Sequence, residues 1–183
     1  MTRFRYYTAT SLDGFLADAH DSLDWLFVQQ HDATGPGDMD AFMAQVGVLV
    51  MGATTYEWIV EHEVSQSKPW PYSQPSFVFT HRDLDPVHES ITLVAGEPAE
   101  HRDALVDAAA GKDVWMVGGG DLAAAFARAG MLDEILVSIA SVTLGSGRPL
   151  LGGAFALALQ QVDRNGDFVV VRYDVGAEHG WRA

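Results

Sequence analysis

A chain of 183 residues, 48% hydrophobic and 20% charged, carries enough apolar material for one substantial core, which excludes an intrinsically disordered class. Its formal net charge of −14, with two lysines against nine arginines, provides no basic face and argues against a nucleic-acid partner. It contains no cysteine, so disulfide and thiolate chemistry are excluded, and no apolar run reaches membrane-spanning length.

Residues 3–10 are β-branched and aromatic and predict a first strand, beginning too early to leave room for a leader peptide. A cytoplasmic, membrane-free protein is therefore expected. The following loop turns on Asp13-Gly14 and leads to Ser22-Leu23-Asp24-Trp25-Leu26, where Trp25 reads as a packing anchor or as a wall of a substrate pocket. A polar stretch ends at Asp38, which is placed to cap a helix running to about Gln45. Residues 46–51 form a continuous apolar run of the kind buried on both faces of a parallel sheet. Gly52-Ala53-Thr54-Thr55-Tyr56 then turns into a short helix ending near Glu61.

Beyond an irregular, proline-bearing stretch, residues 76–80 give a third strand ending in Thr80-His81-Arg82, and residues 91–95 a fourth. Residues 99–110 predict a helix closed by Gly111. Residues 113–117 form a fifth strand that runs into Gly118-Gly119-Gly120 and a helix to Ala129. A sixth strand at 134–141 precedes a glycine-rich loop at 144–153 that carries Arg148-Pro149. Two alternating segments, 157–162 and 168–174, flank a hairpin signal at 163–167. Strands alternating with helices, then a hairpin, predict a single α/β domain over residues 1–183, its sheet parallel in the body with an antiparallel edge.

Ligands of such sheets bind at the carboxyl ends of the strands. Three ends here carry small or hydroxyl residues: Gly52 to Thr55, Thr80 to Arg82, and Gly118 to Leu122. The third is the sharpest. Glycine lets a ligand approach the main chain, and the first N–H groups of the next helix lack internal partners at its positive end, where a phosphate fits. Gly118-x-Gly120-x-x-Ala123 formally matches a dinucleotide fingerprint, but it lies late in the chain and lacks the acidic residue expected roughly twenty positions on. Arg82 is suited to a ribose phosphate, or else to a solvated pair with Asp83 or Asp85. The seven histidines have no metal-ligand spacing, and Glu61-His62-Glu63 reads as solvated, so no metal is expected.

Several of these pieces together, in this order, resemble the dihydrofolate reductase-like superfamily, in particular the bacterial group related to the C-terminal reductase domain of RibD. They are Ser11-Leu12-Asp13-Gly14-Phe15-Leu16-Ala17, Ser22 to Leu26, Met51 to Tyr56, Val117 to Leu122, Leu144 to Leu151 and the terminal hairpin. The resemblance implies a three-layer α/β/α fold with a mostly parallel mixed sheet, NADPH as hydride donor, and a homodimer. By position, Ala9 and Leu16 would flank the nicotinamide. Gly52, Ala53, Thr54 and Thr55 would hold the phosphate bridge from one side, and Val117, Gly118, Gly119, Gly120, Asp121 and Leu122 from the other. Thr80, His81 and Arg82 would meet the adenosine ribose and its 2′-phosphate. Where folate reductases carry a pocket carboxylate this chain has Leu26 to Gln30, and Ala123 stands where they often carry a tyrosine. These departures point away from authentic folate reduction.

The expected activity is NADPH-dependent reduction of a small pteridine-, pyrimidine- or carbonyl-type substrate, the proton coming from water, Asp13 or Asp24. One alternative is a nucleotide-binding or ligand-sensing protein that kept the pocket without turnover. Another is a structural scaffold with an empty cleft.

Overall fold

The computed structural model describes residues 1–176. β1 (Phe4–Thr10) leads through the short β2 (Phe15–Ala17) and two short helices, α1 (Asp24–Phe27) and α2 (Met39–Met43), into β3 (Val46–Gly52) and α3 (Ala53–His62). Then come β4 (Ser76–Phe79), β5 (Ile91–Val94), α4 (Arg102–Ala109), β6 (Asp113–Gly118), α5 (Gly120–Arg128) and β7 (Glu134–Ala140). β8 (Arg148–Pro149), β9 (Leu157–Asn165) and β10 (Phe168–Val175) follow.

Eight strands share one sheet in the order β5-β4-β3-β6-β1-β7-β10-β9. The six from β5 to β7 are parallel, and β10 pairs antiparallel with both β7 and β9. Side chains alternate between the two faces. Tyr6, Val48, Val50 and Met116 meet Leu105 and Phe126, the inward residues of α4 and α5. Tyr7, Leu49, Met51 and Trp115 meet Phe42, Tyr56 and Ile59 of α2 and α3 on the other face. The result is a three-layer α/β/α domain with a mostly parallel sheet and an antiparallel C-terminal hairpin, as the pattern predicts.

Asp38 caps α2 as expected, accepting from the amides of Asp40 and Ala41. Two boundaries differ from the sequence expectation. The helix expected at 99–110 starts as a 3₁₀ turn, Pro98–His101, and closes on Ala110 at φ +50° rather than on Gly111. Its last turn lies against bare backbone, since a Cβ on Gly47 would sit 2.1 Å from the Ala109 oxygen. The hairpin is also tighter than expected. β9 continues to Asn165, and only Gly166 and Asp167 form the turn. Asn165 holds the extended form through its side chain, which donates to the carbonyls of Asp32 and Pro36 at 2.8 Å each and accepts from the Asp32 amide at 2.7 Å.

The amino edge of the parallel strands is fastened by a buried ion pair. Glu134, at the start of β7, is 0% exposed, and its Oε1 takes Nε and Nη2 of Arg5 on β1 at 2.6 Å each. Arg3 Nη1 approaches Oε2 at 3.0 Å. Arg5 also reaches Asp113 on β6 at 3.3 Å and lies 4.7 Å above the Phe42 ring. One guanidinium thus ties three neighbouring strands together and packs on the helix layer. Replacing Glu134 with Ala leaves Arg5 buried without its main counter-ion. The expected loss is about 3–5 kcal/mol, read as a lowered urea midpoint at unchanged m-value.

Candidate functional site

At the opposite, carboxyl edge, two helices begin without a side-chain cap. α3 starts on Gly52, in extended conformation, and α5 on Gly119 at φ +95°, a backbone angle that suits glycine. Among the described residues no side chain accepts from the first-turn amides of either start, which leaves those donors for a ligand. The two starts are neighbours because β3 pairs with β6, and a Cβ on Gly118 would sit 3.2 Å from Thr55 Oγ1.

These ends open into a cleft of about 570 Å³, a volume typical of small-molecule sites. Every cofactor-site residue expected from the sequence lines it except Arg82: Ala9, Leu16, Gly52, Ala53, Thr54, Thr55, Thr80, His81, Val117, Gly118, Gly119, Gly120, Asp121 and Leu122. Arg82 is turned to Glu57 of α3, in a pair more than half exposed on its own side. Its partner is neither Asp83 nor Asp85. The Thr80 hydroxyl accepts from the Arg82 amide at 2.9 Å and so fixes the turn.

Asp13 and Asp24 lie outside the lining. Asp13 accepts from the Ser11 hydroxyl at 2.6 Å, from the Leu144 amide at 3.1 Å and from the Gly145 amide at 2.7 Å, which ties the first loop to the loop before β8. These hydrogen bonds, the Ser11 one largest, hold its carboxyl below the usual carboxylate range. Asp24 is exposed at the start of α1. Trp25 packs beside Ala140, Phe168 and Val170, which makes it an anchor rather than a wall.

The lining contains residues that the sequence reading passed over. Gly96, Glu97 and Pro98 follow β5, and the same strand-end rule would have found them. Trp58, one turn after Thr54 and Thr55 on α3, contributes an indole stacked on His62 at 4.1 Å and 13°. Thr8 of β1 also lines it, and Leu23 and Leu26 of the α1 segment add apolar surface. Asp21 and Arg148 were out of reach of local reasoning, because they meet across 127 residues, with Nε to Oδ1 at 2.5 Å and Nη2 to Oδ2 at 2.8 Å. That pair holds the Asp21 carboxyl below its usual range and pushes Arg148 up.

The segments around β2 and β8 are sewn together at several further points. Ala17 pairs with Arg148, the Leu150 amide donates to the Gly14 carbonyl at 2.8 Å, and a Cβ on Gly147 would fall 1.9 Å from the Ala17 oxygen. A Cβ on Gly120 would fall 2.2 Å from the Pro149 oxygen, so the β8 segment lies directly over the start of α5. Among the described residues no group of acidic or histidine side chains forms a metal-ion cluster, and no helix is long and apolar enough to cross a membrane.

The family model of the RibD C-terminal domain matches residues 4–167. The chain is 30% identical over 145 residues to the uncharacterized protein YwjB of Bacillus subtilis, covering 79% of each. A crystal structure of a riboflavin biosynthesis protein (so described provisionally) from Shewanella sp. PV-4 superposes with a TM-score of 0.78 at 25% identity, over 95% of this chain and 99% of that one. Dihydrofolate reductase from Enterococcus faecalis, in complex with NADP(H) and RAB-propyl, shares the fold with a TM-score of 0.56 at 15% identity, over 95% of this chain and 96% of that one.

The Asp13 tie has a pH consequence. A carboxyl whose folded-state pKa is lowered stabilises the fold above its unfolded value of about 4, and that stabilisation fades as pH falls through the folded value. The thermal midpoint should therefore drop on acidification from about pH 5 to about pH 3, and Asp13→Asn, which cannot ionise, should flatten its part of that drop. Calorimetry of both proteins across this range checks it.

Proposed function

The chain belongs to the RibD C-terminal domain family, and on that premise we propose that it is an NADPH-dependent reductase of a small pteridine-, pyrimidine- or carbonyl-type substrate. The observation that carries this reading is the convergence of two uncapped helix starts, α3 after Gly52 and α5 after Gly119, on one cleft. A diphosphate needs donors on both sides, and first-turn amides supply them without lysine or arginine. This suits a protein whose overall charge is −14.

In this reading the residues divide along the sheet order. Thr80 and His81, at the end of β4, receive the adenosine ribose, and Arg82 leaves Glu57 to grip the 2′-phosphate. Thr54, Thr55 and the Gly118–Leu122 turn hold the diphosphate. Ala9 and Leu16, over β1, flank the nicotinamide, with Leu23, Leu26 and Trp58 excluding water beside it. Bound NADPH supplies hydride to the carbon of a polarised C=O or C=N bond, and a proton from water completes the heteroatom. Water is the proton source in this reading because Asp13 and Asp24 stand outside the lining, Asp21 is bound to Arg148, and His81, Glu97 and Asp121 lie at the adenosine and diphosphate parts of the cleft.

One observation favours a second reading, a nucleotide-binding or ligand-sensing protein without turnover. The β1 end of the cleft presents Leu23 and Leu26 where an acid would serve catalysis. NADPH oxidation with any pteridine, pyrimidine or carbonyl acceptor removes this reading.

The family resemblance also leads us to propose a homodimer. The hairpin face that carries Val162 and Leu159, 55% and 59% exposed, continues from buried Val171 and from Tyr173 of the core. A second copy would cover it. Val162→Lys should then yield a monomer by light scattering at a concentration where the parent is a dimer, and a monomeric parent would refute the proposal.

NADPH at about 100 times its dissociation constant should stabilise the fold by about 2.7 kcal/mol in a thermal-shift titration. Arg82→Ala should weaken NADPH about tenfold and leave NADH unchanged, because only NADPH carries the 2′-phosphate. No shift with either nucleotide overturns the reductase.

A further inference from the structure

The cleft's charges are placed against a phosphorylated substrate. Arg148 is the sole lysine or arginine among its described lining residues, which also include Asp21, Glu97 and Asp121. The Ala17–Arg148 register sets Arg148 on the β2–β8 ribbon, beside β1 and over the start of α5, whereas Thr80 follows β4 on the far side of β3. The Arg148 guanidinium is not free there. Its Nε and Nη2, the fork that grips carboxylates and phosphates, are both engaged by Asp21, at 2.5 and 2.8 Å, whereas Arg82 touches Glu57 through Nη1 alone and is the freer to turn. Asp121 adds a second negative charge within Coulomb range of Arg148. Leu23 and Leu26 leave the remaining wall apolar.

Building on the reductase reading, we propose that the substrate is an uncharged, unphosphorylated molecule and that Asp21 is the specificity-determining residue, because it occupies the one guanidinium among the described lining residues. The first-turn amides of α3 and α5 are taken by the dinucleotide, so a phosphorylated substrate would meet Asp21, Asp121 and a guanidinium already neutralised. A neutral ring or carbonyl compound meets an apolar wall and a closed ion pair instead. Within the range of substrates open to the family reading, this selects against a phosphoribosyl pyrimidine.

Asp21→Asn tests the assignment. Asp21 has φ +61°, a conformation that asparagine adopts readily, so the substitution removes the charge and keeps the turn. The measurement is the thermal shift of NADPH-saturated protein with ribose 5-phosphate, and with ribose as the uncharged control. Wild type should respond to neither, while Asp21→Asn should bind ribose 5-phosphate at least about tenfold more tightly than wild type. The gain should vanish in Asp21→Asn/Arg148→Ala. Equal affinity of wild type and Asp21→Asn for ribose 5-phosphate overturns the proposal, as does a gain that survives loss of Arg148. A second measurement needs no variant. Wild type with NADPH should oxidise it at least as fast with a ribosylamino-pyrimidine as with its 5′-phosphate, and preference for the phosphate overturns the proposal. Failure of NADPH itself to bind is read separately, in the absence of either sugar, and sinks the reductase reading.

Discussion

Two helices begin without caps at adjoining ends of parallel strands, and the cleft is a consequence of that constraint. A parallel sheet returns each crossover to the same edge, so the starts of α3 and α5 gather there. Capping either start with aspartate or serine would satisfy its amides locally and close it to an anion. α2 shows the contrast, because Asp38 consumes its first donors and it takes no part in the lining. Glycine at 52 and 119 keeps both main chains bare, and the close contact of Gly118 with Thr55 makes them a single surface.

Charge is spent differently at the two edges of the sheet. At the amino edge, Arg5 is committed to Glu134, Asp113 and the Phe42 ring, which fixes β1 between β6 and β7. At the carboxyl edge, uncapped backbone amides open on the cleft, and the one guanidinium among its described lining residues is held by Asp21. A strongly acidic chain therefore remains compatible with a dinucleotide, because aligned peptide dipoles act over a turn and are not cancelled by remote, screened carboxylates.

Local chemistry made most of the fold legible. The apolar run 46–51, the glycines after Val117 and the cap at Asp38 each follow from neighbours in sequence, and the three strand ends chosen for their glycine and hydroxyl residues line one cleft apart from Arg82, as do Ala9 and Leu16, which the family resemblance supplied. What escaped was set by partners far away in the chain. Glu57 lies 25 residues from Arg82, Arg148 lies 127 from Asp21, and Leu144 lies 131 from Asp13. A carboxylate in a loop looks alike whether it faces water, a cleft or distant amides, and only the fold decides. The same reason hid β2 and β8, whose few residues form strands because they find each other.

The stitching of β2 to β8 makes two remote stretches of chain behave as one body. Gly147 lies against Ala17, Asp13 holds the amides of Leu144 and Gly145, and Asp21 holds Arg148. Redesign of this wall of the cleft is therefore a matter of transplanting both stretches as a cassette. A graft of either alone would bring in a surface whose mate had stayed behind in the donor.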